Sequence, residues 1–313
     1  QHSYTWDAAG NLLQENTERK HEWDWGGRMR SFRNQVSGSQ ASVFANYTYA
    51  AGGERVQKVV SKDSGETIHS VYIDGIFEHH EKYDTNDNMT TENNLLHVMD
   101  DQRRVALERI GSELDGTNPP AVQYHLGDHL QSSNVVLDAS GTLHNREEYR
   151  PYGESSFGSY QKKRYRFTGQ ERDEESSLSY HGARYYAPWT GRWTAPDPKG
   201  MVDGVNLYGY TRGNPVGRLD KNGLQSTTPT PQNNSEAVQT AVTNAKSARS
   251  EATSKAQNSR DFHIDADDLS EAAQKRYLKK FDQGELDNIT FKPMSKSQSD
   301  DGHLGSYKPL ENA

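Results

Sequence analysis

The sequence predicts an all-β protein: a curled sheet wall of repeated hairpins followed by a largely disordered or weakly helical tail. Three observations carry this. Only 31% of the 313 residues are hydrophobic and the mean hydropathy is −1.05, too polar for a large helical or α/β core. That polarity still suits strands that bury one face and wet the other. The 17 Tyr and 26 Gly suit half-buried strand positions and tight turns. Finally, all five Trp and 15 of the 17 Tyr precede residue 225, after which the text turns to Ser, Thr, Gln, Asn and Pro.

The elements follow in order. Tyr4-Thr-Trp-Asp7-Ala-Ala-Gly10-Asn11-Leu12 reads as a strand, an Asp-and-Gly turn and a returning strand. Weaker echoes come at Tyr47–Val60, with strong alternation from Arg55, and at Val71–Phe77, where Asp74-Gly75 between apolar runs signals a hairpin. Asn134–Leu143, Tyr149–Gly153 and Tyr165–Gly169 continue the form. No such repeat can bury its apolar face alone, so neighbours must stack. Residues 84–94, 111–120 and 155–163 read as polar surface loops. Between Asp197 and Asp220 a strand is expected over Val205–Tyr210. Beyond Leu224 comes a linker, then a thin helical stripe over 235–259. A better helix runs from Phe262 to Phe281, started by Asp267 or Asp268 and ended by Gly284, with a short strand at Ile289–Phe291.

Charge and composition exclude several classes. The net charge of −8 is about −6 up to Leu224 (25 basic, 31 acidic) and about −2 beyond it (11 basic, 13 acidic). This does not suit a duplex nucleic-acid surface. There is no cysteine, hence no thiol chemistry. No run approaches the ~18 apolar residues of a membrane span. The strand-like pattern begins at once, so Gln1 reads as a cut through a longer protein.

The stretch from Tyr180 to Leu224 holds the candidate chemistry. An aspartic peptidase needs two carboxylates close enough to share a proton, one acting as base toward water and the other as acid. Asp197 and Asp220 are each followed by a turn glycine, Gly200 and Gly223, so both could return to one place. The bland alternative is that each is only a turn residue.

Several separate segments then match one family in order: Tyr124-His-Leu-Gly-Asp128-His-Leu, Glu148-Tyr-Arg-Pro-Tyr-Gly153, Gly169-Gln-Glu-Arg-Asp173, Gly182-Ala-Arg-Tyr-Tyr186, Gly191-Arg-Trp193, Asp197-Pro-Lys-Gly200, Asn214-Pro215 and Asp220-Lys-Asn-Gly223-Leu224. They resemble the RHS repeat-associated core, and Tyr4–Leu12 resembles the YD repeats that precede it. The resemblance covers about residues 1–224. Within it the chain looks most like the C-terminal part of the C component of insecticidal toxin complexes. Lys221, where many RHS proteins have Pro, fits that branch.

The resemblance implies a YD-repeat β shell over residues 1–123, the core with its aspartic autoprotease motif over 124–224, and a variable, partly disordered cargo or toxin region over 225–313. It implies Asp197 and Asp220 as catalytic pair, Arg184 as the arginine that tunes or orients them, and cleavage between Leu224 and Gln225. It implies a secreted or cell-surface-associated toxin, no cofactor and no nucleic-acid binding by the shell. Its partners would be a B component, or an upstream shell on the same chain, and its own cargo, delivered to a target cell's cytosol. Rival readings are an RHS polymorphic toxin for competition between bacteria and a non-enzymatic YD-repeat surface or adhesion module. An isolated piece would expose strand edges and dissolve poorly.

Other residues read as structural. Trp189 and Trp193 are expected to be core plugs, and Arg192 to pack on a ring or pair structurally. His79-His80 and His125-x-x-x-His129 lack a third ligand placed by motif. Asp265, Asp267 and Asp268 lack the glycine and distal glutamate of a calcium loop. In the tail, His263, Glu271 and His303 could serve acid–base roles on residue type alone.

Overall fold

A computed structural model describes residues 2–36, 39–100, 103–114, 119–158 and 163–229. The expectations for the tail from residue 230 onward, including its helices and strand, Asp265, Asp267, Asp268, His263, Glu271 and His303, lie outside the described residues.

Fourteen strands form one antiparallel meander in which every strand pairs with its neighbours in sequence. They are β1 (Tyr4–Trp6), β2 (Leu12–Glu15), β3 (Arg19–Trp23), β4 (Met29–Asn34), β5 (Val43–Tyr49), β6 (Arg55–Lys62) and β7 (Thr67–Ile73). Then come β8 (Phe77–Tyr83), β9 (Met89–Asp100), β10 (Arg103–Gly111), β11 (Val122–Gly127), β12 (Ser133–Leu137), β13 (Leu143–Tyr149) and β14 (Ser155–Gly158). The sheet is an open, curled wall, as the alternation and turn signals predict. A second sheet of four short strands follows: β15 (Glu171–Arg172), β16 (Ser179–Tyr180), β17 (Tyr185–Ala187) and β18 (Arg192–Trp193).

One local device builds many of the wall's turns. In Asp24, Asp84, Asp128 and Asp138 a carboxylate oxygen accepts the backbone N–H two and four residues on, at 2.8–3.0 Å. Asp7 accepts the Asn11 N–H at 2.7 Å. Three residues after each aspartate the chain turns left-handed, at Gly27 (φ 72°), Asp87 (59°), Gln131 (67°), Gly141 (82°) and Gly10 (89°). The short carboxylate substitutes for the ladder at the bend, and glycine removes the steric penalty of positive φ.

Two loop expectations change. Residues 84–94 are mostly strand: only the turn from Asp84 to Asn88 leaves the ladder, and β9 starts at Met89. Its polar start is held against β8, with Lys82 opposite Thr91 and Glu81 opposite Glu92, so pairing overrides local composition. Residues 155–158 form β14 rather than a turn. Residues 123 and 124 both lie in β11, which pairs with β10 through Tyr124 and Ala106. The motif-bearing segment that leaves the wall begins after β14.

That segment packs on one face of the wall. Met29 and Phe32 of β4, Ala45 and Tyr47 of β5 and Val60 of β6 join Leu178, Tyr185 and Ala187 in one buried apolar cluster. A second cluster holds Leu130, Phe167, Tyr186, Trp193 and Tyr210. Between wall and segment lies a buried ionic seam. Arg55 pairs with Glu171 at 2.6 Å and Asp173 at 2.7 Å, and Lys58 with Asp173 at 2.7 Å. Arg164 reaches back to Glu78 of β8 at 2.6 Å. Burial opposes charge on Glu78, yet Arg164 and His97 hold its carboxyl well below the usual range. Such a seam fixes register, because a shifted packing would strand buried charges.

Candidate functional site

Asp197 and Asp220 sit on the same kind of turn as the wall's aspartates. Asp197 Oδ1 accepts the Lys199 N–H at 2.8 Å. Asp220 Oδ1 accepts the N–H groups of Leu224 at 3.2 Å and Gln225 at 3.3 Å. The third residue on is again left-handed, Gly200 at φ 73° and Gly223 at φ 69°. Gly223 has a second reason to be glycine: a Cβ there would meet the Arg184 nitrogen and the His181 oxygen, both main chain, at 2.9 Å.

The two turns meet over one guanidinium. Nη2 of Arg184 lies 2.9 Å from Asp197 Oδ2 and 3.4 Å from Asp220 Oδ2. Arg184 also donates through Nε to the Gly223 carbonyl at 2.6 Å and through Nη1 to the Leu207 carbonyl at 3.2 Å. Its planar fork lies 4.2 Å from the Trp193 ring centroid. All three charged side chains are buried. Burial opposes the Arg184 charge, which the two aspartates support. Burial pushes the Asp220 carboxyl up, against the pull of Arg184 and the two backbone N–H donors.

The chain after Asp220 bends through Gly223 and then passes this site toward a bridge between Thr227 and Leu219. The Asn222 carbonyl accepts from Ala183 N–H at 3.0 Å. Past Gln225, the Ser226 N–H donates to Asp203 Oδ2 at 2.6 Å and its carbonyl accepts from Arg218 Nη2 at 2.8 Å. Thr227 and Leu219 exchange both main-chain bonds, at 2.8 and 3.0 Å. The Leu224–Gln225 link therefore lies beside Asp220, with the chain tied on both sides.

The sequence-derived residues are thus brought together: Asp197, Asp220, Arg184, Leu224 and Gln225 occupy one site. The route between the acids differs from expectation. Val205–Tyr210 is not a strand. A tight turn at Met201–Asp203 and an irregular stretch replace it, and only Gly209 makes an isolated bridge, to Arg192. Asn206 supplies local side-chain bonding there, through its Oδ1 to the Tyr208 N–H at 3.1 Å, which competes with a ladder.

Trp193 is buried over Arg184, and Trp189 donates to Glu15 at 2.7 Å. Arg192 is exposed and pairs through its backbone in β18. The candidate histidines lie apart. His79 and His80 bond Asn94 and Ser70, His125 bonds Ser133 and His129 reaches the Val216 carbonyl. Among the described residues no group of three or more His, Cys, Asp or Glu could hold a metal. Nor is any helix long and apolar enough to cross a membrane.

Three contributors went unread in the sequence. His181 faces the Asp220 carbonyl through Nδ1 at 2.6 Å, and burial pushes its pKa down to about 4. Asp203 and Arg218 hold Ser226. Their only signal was proximity to the motif, since what they touch is main chain from another turn. A cavity of about 810 Å³ borders Asp203, Trp189, Arg192 and Arg212 but neither acid.

No family model matches the chain. It is 30% identical over 231 residues to toxin subunit YenC1 of Yersinia entomophaga, covering 70% of this chain and 23% of that one. To toxin protein Tse5 of Pseudomonas aeruginosa it is 46% identical over 59 residues, 19% of this chain and 4% of the other. The crystal structure of a TcdB2–TccC3 complex matches with a TM-score of 0.63 at 27% identity, over 70% of this chain and 11% of that chain. The chain thus spans less than a quarter of the length of YenC1.

Proposed function

We propose that this chain, which belongs to the RHS/YD-repeat family, is the part of an RHS-type toxin that encloses and severs its own C-terminal polypeptide after Leu224. One observation carries the reading: Arg184 Nη2 contacts both Asp197 and Asp220, while Asp220 Oδ1 accepts the N–H of Gln225 at 3.3 Å. That nitrogen is the leaving group of the expected cut.

In this reading Asp197, paired with Arg184, takes a proton from water as the oxygen attacks the Leu224 carbonyl carbon. Asp220, whose protonated form burial favours, then hands its proton to the Gln225 nitrogen as the C–N bond breaks. The products are a carboxylic acid at Leu224 and an amine at Gln225. Neither cofactor nor metal enters these steps. The reaction is a single turnover, because the substrate is the chain itself.

The wall supplies the enclosure. The similar solved structure is a complex of TccC3 with TcdB2, which supports a B-component-like partner, or a further shell on the same polypeptide. The edge strand β1, whose three residues are all exposed, offers a place for more strands to pair. Secretion and delivery of the released polypeptide to a target cell belong to the same reading.

The test is the full-length protein on a denaturing gel, with the released fragment weighed by mass spectrometry. An 89-residue fragment beginning at Gln225 is expected if the chain ends at Ala313. One intact band from folded protein would favour a non-enzymatic shell instead.

A further inference from the structure

We propose that Asp203 and Arg218 are positioning residues: they seat the main chain of Ser226 and thereby choose which peptide bond meets the acid pair. This rests on the self-cleavage reading and deepens it.

Side chains around the expected cut give little purchase. Gln225 is exposed and Leu224 only half-buried. Ser226, by contrast, is 2% exposed and is gripped at every polar atom. Its N–H donates to Asp203 at 2.6 Å, and its carbonyl and hydroxyl accept from Arg218 at 2.8 and 3.1 Å. The next residue is locked by the paired bonds between Thr227 and Leu219. On the other side Arg184 holds the Gly223 carbonyl. A cut one residue away would require the chain to slide by one strand repeat, about 3.3 Å, which breaks every one of these contacts.

Asp203 is itself built in. Arg212 Nε lies 3.1 Å from its Oδ1, and Arg212 Nη2 donates to the Val202 carbonyl at 3.0 Å. The turn that carries it is flanked by Gly200 and Gly204, at φ 73° and 118°. Asp203 is also close enough to Asp220 for its charge to favour the protonated acid. The grip falls mostly on backbone, with one bond to the Ser226 hydroxyl, so it sets the position of the cut with little reading of the side chains that follow.

The experiment compares the full-length wild type with Asp203→Ala, Asp203→Asn and Arg218→Ala, measuring rate, fragment mass and thermal melting. Both alanine variants should slow release by roughly tenfold to a hundredfold and yield fragments of mixed mass. Asp203→Asn keeps an oxygen for the Ser226 N–H, so it should restore a single cut, with the alkaline limb of its rate profile moved to lower pH. Wild-type rate and a single wild-type mass in both alanine variants would overturn the inference. If Asp203→Ala does not fold, Arg218→Ala, on a half-buried side chain, decides alone. A wild type that folds but never cleaves overturns the self-cleavage reading itself, a failure distinct from intact cleavage in the variants.

Discussion

The turn at Asp138 and the turn at Asp220 are built alike and behave oppositely. Each has an aspartate, a left-handed glycine three residues on and a carboxylate oxygen taking backbone N–H groups. At Asp138, open to water, the Ser140 hydroxyl and the Thr142 N–H hold the carboxyl below its usual range. Asp84 shows the same direction, from the N–H groups of Asn88 and Asn86. At Asp220 burial outweighs the same donors, and the carboxyl is pushed up. The motif makes a turn; desolvation and a shared arginine are what could make it an acid.

The largest expected effect breaks the comparison at that point. Asp197→Asn and Asp220→Asn should each slow release by roughly 10²–10⁴-fold. Asp84→Asn and Asp138→Asn should leave the cleavage time course on a denaturing gel unchanged. Equal effects at wall and site would reduce Asp197 and Asp220 to turn residues.

Removing the shared cation comes next. Arg184→Ala strands two buried carboxylates, which should destabilise the fold by about 3–5 kcal/mol, read by denaturant unfolding. No counterpart arginine bridges the aspartates of the outer turns of β8–β9 and β12–β13 in the described contacts.

The glycines sharpen the comparison further. Gly141→Ala faces open space and bears only the strain of a left-handed residue, about 1–2 kcal/mol. Gly223→Ala adds a main-chain clash with Arg184 and His181, so its loss in melting temperature should be clearly larger.

Two pH dependences follow. Release should slow as pH rises through the elevated Asp220 value, since the acid must carry a proton. Stability should fall as pH drops from 6.5 toward 4, because His181 is held near 4 by burial while the unfolded chain takes up the proton. His80, also held near 4 by burial, acts in the same direction from the wall. Melting temperatures at pH 7 and pH 5 check this. The smallest effect is at Val205, 86% exposed between the two acids: Val205→Ser should change stability by no more than about 0.5 kcal/mol.

The wall was largely legible because its information is local. A hairpin turn such as Asp74-Gly75 and the alternation from Arg55 declare themselves within a few residues. The start of β9 was not, since Thr91 and Glu92 become strand by pairing with β8, and Asn93 and Asn94 by lying between β8 and β10. The five residues of the candidate site were named from motif and family resemblance. The irregular path between the acids, and the roles of His181, Asp203 and Arg218, were hidden because their partners are main-chain atoms brought in from other turns.

By itself, then, the sequence determined a meander of Asp-and-Gly hairpins and the residue types at two special turns. Only the tertiary structure decided that Asp197 and Asp220 share one guanidinium, that one of them loses its water, and that the chain after Gly223 passes between anchors. The physical reason is range. Turn geometry is set by bonds spanning four or five residues, whereas desolvation depends on what the rest of the chain folds over them.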